Sequence, residues 1–151
     1  MKKVFITLGA IFLIVIVTVA AVIGFAAYND NKLDSASKAY VDQNIPPIIS
    51  SWSPEELMRR SSPELKSSVT PQQFAELFKT LSQLGSLKTY ESAQGDSNMS
   101  YTTQNGKMIT AEYTAHAEFT NGKAELKIKL IQHDGQWQLL GFHVNSPLFS
   151  R

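Results

Sequence analysis

The feature that most constrains this chain is its opening. From Val4 to Ala27, VFITLGAIFLIVIVTVAAVIGFAA, 24 residues pass without a charge. A helix crossing the hydrocarbon core of a bilayer needs roughly 20 predominantly apolar residues. Thr7 and Thr18 do not spoil such a helix, because their hydroxyls can bond back to its carbonyls. The rival reading is a cleaved signal peptide, and small residues around Ala20, Ala21, Ala26 and Ala27 would permit cleavage. The apolar core of a signal peptide, however, is typically about 7–15 residues, shorter than this run. Lys2 and Lys3 precede the run, whereas Asp30, Lys32, Asp34 and Lys38 beyond it cancel. The positive-inside rule therefore predicts a cytoplasmic stub and single-pass inner (plasma) membrane anchor over residues 1–28. Residues 29–151 are then a periplasmic or otherwise extracytoplasmic domain.

Charge narrows the partners of that domain. The whole chain carries +1, and without Lys2 and Lys3 twelve basic residues face thirteen acidic ones. A nucleic-acid binder would show a basic face, and strong docking on anionic lipid would need a basic cluster. Neither is present. The chain has no cysteine, which removes disulfides, thiol nucleophiles and cysteine metal sites. About 120 residues can still bury a core sufficient for stability.

The first half of the domain reads as helix. Residues 30–52 carry Leu33, Ala36, Tyr40, Val41, Ile45, Ile48, Ile49 and Trp52 at spacings close to one helical face. Pro46 and Pro47 are expected to kink or break it, since proline lacks the backbone donor and crowds the preceding turn. Three helix starts follow. SPEE at 53–56 and TPQQ at 70–73 read as capping boxes, and SPEL at 62–65 repeats the Ser-Pro opening. Gly85 is a natural stop for the last of these.

From Leu87 the apolar period changes to two. Gly95-Asp96, Asn105-Gly106, Asn121-Gly122 and Asp134-Gly135 each suit a tight β-turn. They predict five strands, at about 87–94, 98–104, 107–120, 123–132 and 136–145, running as an antiparallel meander. Helices followed by one sheet make an α+β fold with the helices laid on one sheet face.

The two faces of the sheet decide how the candidate residues are read. In TAHAEFTNGKAELKIKL, residues 114–130, His116 and Glu118 form a His-x-Glu, a spacing seen in metal sites. Strand alternation places both on the face opposite Ala115, Ala117 and Phe119. A turn centred on Asn121-Gly122 pairs Phe119 with Ala124 and sets His116 against Lys127. The zinc-deaminase signature also needs Pro-Cys-x-x-Cys. His116 and Glu118 are therefore read as a solvated strand face, with no metal and no cofactor. On the last strand, an unbroken register sends Trp137, Leu139, Gly141 and His143 to the core face. His143 then reads either as a pocket acid–base group, with Tyr113 and Trp137 beside it, or as a core histidine with one hydrogen bond. The same register sends Leu140, Phe142 and Val144 outward. That stripe reads as a docking surface or as apolar area covered by the chain's tail and lysine stems. No serine has a plausible histidine and acid partner, and no carboxylates pair inward, so no catalytic residue is assigned.

Helices followed by a meander that closes on DGQWQLLGFHV resemble the cystatin-like, nuclear-transport-factor-2-like superfamily, in particular its small membrane-anchored bacterial members. The resemblance spans about residues 32–147. It rests on element order and on Gly135, Trp137, Leu139, Gly141 and Phe142 of the terminal strand. It implies a curved sheet wrapped around helices. Enzymes of the superfamily place an acid–base Asp or His inside the cone, and their catalytic motifs have no match here. Anchored domains of this fold also serve as assembly scaffolds in type IV secretion systems. The expected function is accordingly a membrane-anchored, non-enzymatic interaction or assembly module with a protein partner or a second copy. The alternative is a cone that binds a small apolar ligand or acts on it, lined by His143, Tyr113 and Trp137.

Overall fold

A computed structural model describes the backbone of residues 2–150 and the side chains of residues 18–25 and 28–150. It divides into two compact units, Met1–Leu33 and Asp34–Arg151. Among the described residues no helix is long and apolar enough to cross a membrane. The predicted anchor, 4–27, falls mostly on residues whose side chains lie outside that described set.

The architecture is α+β, a long helix followed by short helices and one open antiparallel sheet. Helix α1 (Lys2–Ser51) is followed by α2 (Pro54–Arg60), α3 (Pro63–Ser68) and α4 (Pro71–Leu81), each of the last three opening with proline behind a Ser or Thr cap. The Thr70 cap forms the predicted reciprocal box with Gln73. The Ser53 cap forms only half of one. Its Oγ accepts the Glu56 amide, but the Glu56 carboxylate is taken by Arg59 at 2.8 Å and Arg60 at 2.5 Å. Arg60 also donates to Asn44 Oδ1 at 2.8 Å, tying α2 to α1.

Of the two effects expected of Pro46 and Pro47, a kink or a break, the break does not occur; the helix runs through them to Ser51. Ile45, Ile48 and Ile49 around them are fully buried. Each such side chain contributes about 1.5–3 kcal/mol on burial, so the three together are comparable to the cost of two interior prolines at about 3 kcal/mol each. The Ser50 and Ser51 hydroxyls bond the Pro47 carbonyl. The helix terminates where Trp52 turns into the left-handed region, φ 47°, a position usually held by glycine.

The sheet comprises β1 (Leu87–Tyr90), β2 (Gln94–Thr102), β3 (Gly106–Phe119), β4 (Gly122–His133) and β5 (Gln136–Asn145). It departs from the predicted meander in one place. β1 and β2 do not pair with each other, and both line the same edge of β3. Gly95 is not a turn but a ladder residue opposite Tyr113. A Cβ there would lie 1.9 Å from the Glu112 carbonyl oxygen, which is why glycine stands at this close approach. The true break is Glu91–Ala93. From β2 onward the strands follow one another as hairpins.

The helix-facing side of the sheet carries the core: Ala111, Ala115, Leu126, Ile128, Leu130 and Leu139 beneath Val41, Ile45, Leu57, Phe74, Phe78 and Leu84. Trp52 completes it at one end. Its indole N–H donates to the Gly85 carbonyl at 3.0 Å, and its ring packs on Phe78 and Phe119 at 6.2 and 5.2 Å between centroids.

Candidate functional site

Two register differences decide where the candidate residues lie. The β3–β4 hairpin pairs Phe119 with Gly122, Ala117 with Ala124 and His116 with Glu125. The turn is thus centred on Thr120-Asn121, and the pairing is displaced by two residues from the expected one. A two-residue displacement leaves every side chain on its face, because the strand period is two. The tip is fixed from outside the hairpin. Thr120 N donates to Ser86 O, Asn121 N to Leu84 O and Asn121 Nδ2 to Gln83 O. These bonds to the segment that follows α4 select the turn in place of Asn-Gly chemistry.

His116 and Glu118 are exposed on the outer face. There they line a cleft of about 420 Å3 built from ladder rows. Thr89, Glu118 and Lys123 form one row. His116, Glu125 and Asn145 form the other, with Glu91 beside them and Pro147 closing one side. The cleft holds three carboxylates, one ammonium and one imidazole, with ordinary strand alternation as their scaffold. Glu125 also meets Lys127 at 3.6 Å, and Glu112 meets Lys129 at 2.9 Å farther along the face. Such exposed pairs are worth 0–1 kcal/mol. Among the described residues no group of three or more His, Asp or Glu could hold a metal ion.

The second difference is a bulge in β5. Leu139 pairs with Leu130 as expected, but Gly141 pairs with Lys129, leaving Leu140 as the extra residue. Beyond it every side chain changes face. His143, expected inside, is exposed and opposite Lys127. Phe142 and Val144, expected outside, turn to the helix side. The Phe142 ring stacks on Phe78 at 6.4 Å, and Val144 lies opposite the buried Leu126. Leu140 is half-buried. The predicted stripe of Leu140, Phe142 and Val144 is therefore not a continuous outer surface.

The predicted pocket trio is not brought together either. Tyr113 is buried, and its hydroxyl donates to the Asp34 carbonyl at 3.1 Å and lies 2.8 Å from Ser37 Oγ. Burial raises its pKa, so the phenol stays protonated. Trp137 is buried opposite Gln132, while His143 is on the other face.

The groups that sequence reasoning missed are Asp34 and Asp42 on α1. Asp42 Oδ1 accepts from the Ala93 amide at 2.9 Å and the Tyr90 hydroxyl at 3.0 Å; its Oδ2 accepts from Ser92 at 3.0 Å and Lys38 at 2.6 Å. Lys38 Nζ also donates to Ser92 Oγ. Burial alone would raise the Asp42 pKa, but the Ala93 amide, Lys38, Ser92 and Tyr90 outweigh it and hold the carboxyl below its ordinary value. The same contact, added to burial, pushes the Tyr90 phenol up. Asp34 Oδ1 accepts the Ser97 amide at 2.7 Å. Eight helical residues rise about 12 Å, and four strand residues span about 13 Å. The two aspartates therefore match Ala93 and Ser97 along the sheet edge, each replacing a missing neighbouring strand. The sequence signal was an i, i+8 pair of aspartates on a helix otherwise facing the core. It becomes legible only once the edge is known to break at 91–93.

No family model matches the chain, and the search of curated proteins finds no match to it.

Proposed function

We propose that this chain is a tethered, non-enzymatic interaction module whose extracytoplasmic domain contacts another protein. The observation that carries the reading is the division of labour between the two faces of the sheet. On the helix side, the groups that could have worked in a cone are engaged in structure, Tyr113 with Asp34 and Ser37, Phe142 with Phe78. The outer face and the edges are left to meet a partner, and the outer face carries mixed charge with half-buried apolar residues between. Interfaces of this kind owe specificity to polar complementarity more than to bulk hydrophobicity. The tether is supported by the uncharged run 4–27 behind Lys2 and Lys3. Membership of the cystatin-like superfamily is supported by helices preceding one open antiparallel sheet.

The test is to cross-link the tagged full-length protein in native membranes, purify it in mild detergent and identify what accompanies it by mass spectrometry. A stoichiometric protein joined through sheet-face or edge residues is the expected result. Recovery without any protein, its own copies included, would overturn the reading.

The cleft around His116 favours a second reading, a small-ligand domain. Its lining points to a polar, cationic or zwitterionic ligand, in contrast to the apolar one expected from sequence. Binding at a hundred times Kd would stabilise the native state by about 2.7 kcal/mol. A thermal shift present in the native chain and absent in His116→Ala would support this second reading.

A further inference from the structure

We infer that the open half of the β2 edge is a self-association site, at which two copies of this chain join their sheets across a twofold axis centred on Ser100. The inference rests on the interaction-module reading and names its surface and its partner.

Backbone phase comes first. The β2–β3 ladder runs from Gln94 to Thr102 without a register shift, so the direction of the amides alternates along it. The Ser97 amide points away from β3, because it donates to Asp34. Met99 and Tyr101 share its phase, so their N–H and C=O groups also point off the sheet. Among the described residues neither amide has a protein partner. The helix aspartates close this edge at Ala93 and Ser97, and among the described residues no side-chain hydrogen bond reaches its backbone at Met99 or Tyr101.

Composition comes second. Open edges are ordinarily guarded by lysine, proline or inward charge. From Ser97 to Gly106 this edge has no charged residue and no proline. Tyr101 stands on it 73% exposed, the most exposed large hydrophobic side chain of the 34–151 unit.

Symmetry selects the occupant. An isologous contact requires a surface complementary to itself. Antiparallel pairing about Ser100 sets Met99 against Tyr101 of the second copy, and Tyr101 against its Met99. Each pair exchanges two backbone hydrogen bonds. The same two side chains already meet within one copy, where the Tyr101 hydroxyl lies 3.6 Å from the Met99 sulfur. Four such side chains would form a sulfur–aromatic cluster, and no like charges meet across the axis.

The chain has no cysteine, so a single introduced thiol reports without background. Ser100 would face its own counterpart as a non-hydrogen-bonded pair, at about 4.5 Å between Cα atoms, within the range of a disulfide. Ser100→Cys in the full chain, expressed in membranes and mildly oxidised, is expected to give a reducible dimer. Lys79→Cys, exposed on α4, is expected to stay monomeric. Adding Tyr101→Asp to Ser100→Cys should abolish the dimer while thermal unfolding stays unchanged. A Ser100→Cys chain that remains monomeric on oxidation would overturn the inference. So would a disulfide or photo-cross-link from position 100 to a different protein, although that outcome would leave the interaction-module reading standing.

Discussion

Asp42 concentrates more of the fold's specificity than any other single side chain. Its carboxylate ties together one helix, one strand end and the irregular turn between β1 and β2. Hydrogen bonds to a charged group contribute about 1.5–3 kcal/mol, and leaving buried donors unmet costs a similar amount. Asp42→Asn should therefore lower stability by about 2 kcal/mol at pH 7. The pH dependence follows from the sign of the shift. The folded carboxyl titrates below its ordinary value, so its contribution is complete above about pH 4 and is lost as pH falls through the folded pKa. Urea midpoints of the native chain and Asp42→Asn should thus differ at pH 7 and converge only as pH falls through the lowered folded pKa. A gap that persists at low pH would mean that the residue acts through packing alone. Trp52 is the other residue with a disproportionate role. It accepts a left-handed backbone, at about 1–2 kcal/mol, for the sake of two ring contacts and the bond to Gly85. Trp52→Ala should destabilise by about 2–4 kcal/mol, measured by the same urea titration.

At the level of elements, what the sequence made legible was what is locally encoded. The three capped helices open at Ser53, Ser62 and Thr70 as their Ser-Pro and Thr-Pro signals predict. The Asp134-Gly135 turn has positive φ at both residues, 51° and 76°, which suits that hairpin. The face of each β3 residue follows from a period of two. Long-range features were not legible. The Thr120-Asn121 turn is chosen by bonds to residues 83–86, and the break at 91–93 by Asp42. The β5 bulge left a trace that local reading passed over. Leu139 and Leu140 are consecutive apolar residues followed by Gly141, a pattern that in a strand marks a bulge. That one extra residue exchanged the fates of His143 and Phe142, and with them the candidate pocket and stripe. Glycine was read as turn chemistry at 95 as at 135, yet only the second position is a turn. The two should respond differently to substitution. Gly95→Ala forces a methyl against the Glu112 carbonyl, so the β2–β3 ladder should loosen, with about 2–3 kcal/mol lost. Gly135→Asn keeps a residue that tolerates positive φ and meets no neighbouring atoms, so it should change stability by about 1 kcal/mol or less. Equal losses would show that Gly95 serves the chain only through its conformational freedom.

At the scale of the whole molecule, one continuous helix does two different things along its length. Its first part is an uncharged apolar run, and its last part is a wall of the domain core. The described core contacts of α1 begin late: Ser37, Val41, Ile45, Ile48 and Ile49 are all fully buried, at spacings that return to one face. Asp34 and Asp42 flank that face and fasten the broken sheet edge. Among the described residues, the fully buried positions of α1 thus begin at Ser37, and its side-chain bonds to the sheet edge at Asp34. This predicts a sharp threshold on truncation. A chain beginning at residue 31 keeps both aspartates and the whole buried face, so it should unfold in urea at the midpoint of the full chain. Trp52 and Trp137 both lie in this unit, so tryptophan fluorescence reports its unfolding. A chain beginning at residue 44 loses the burial of Val41, about 1.5–3 kcal/mol, and the carboxylate bonds of Asp34 and Asp42, about 2 kcal/mol each. Against a typical domain stability of about 5–15 kcal/mol, that loss should erase the cooperative transition or move it far toward zero denaturant. If the chain from residue 31 also failed to fold, the support for the domain would have to come from residues 1–30. Residues 1–30 and the 34–151 unit would then be a single cooperative unit, instead of two that are stable independently.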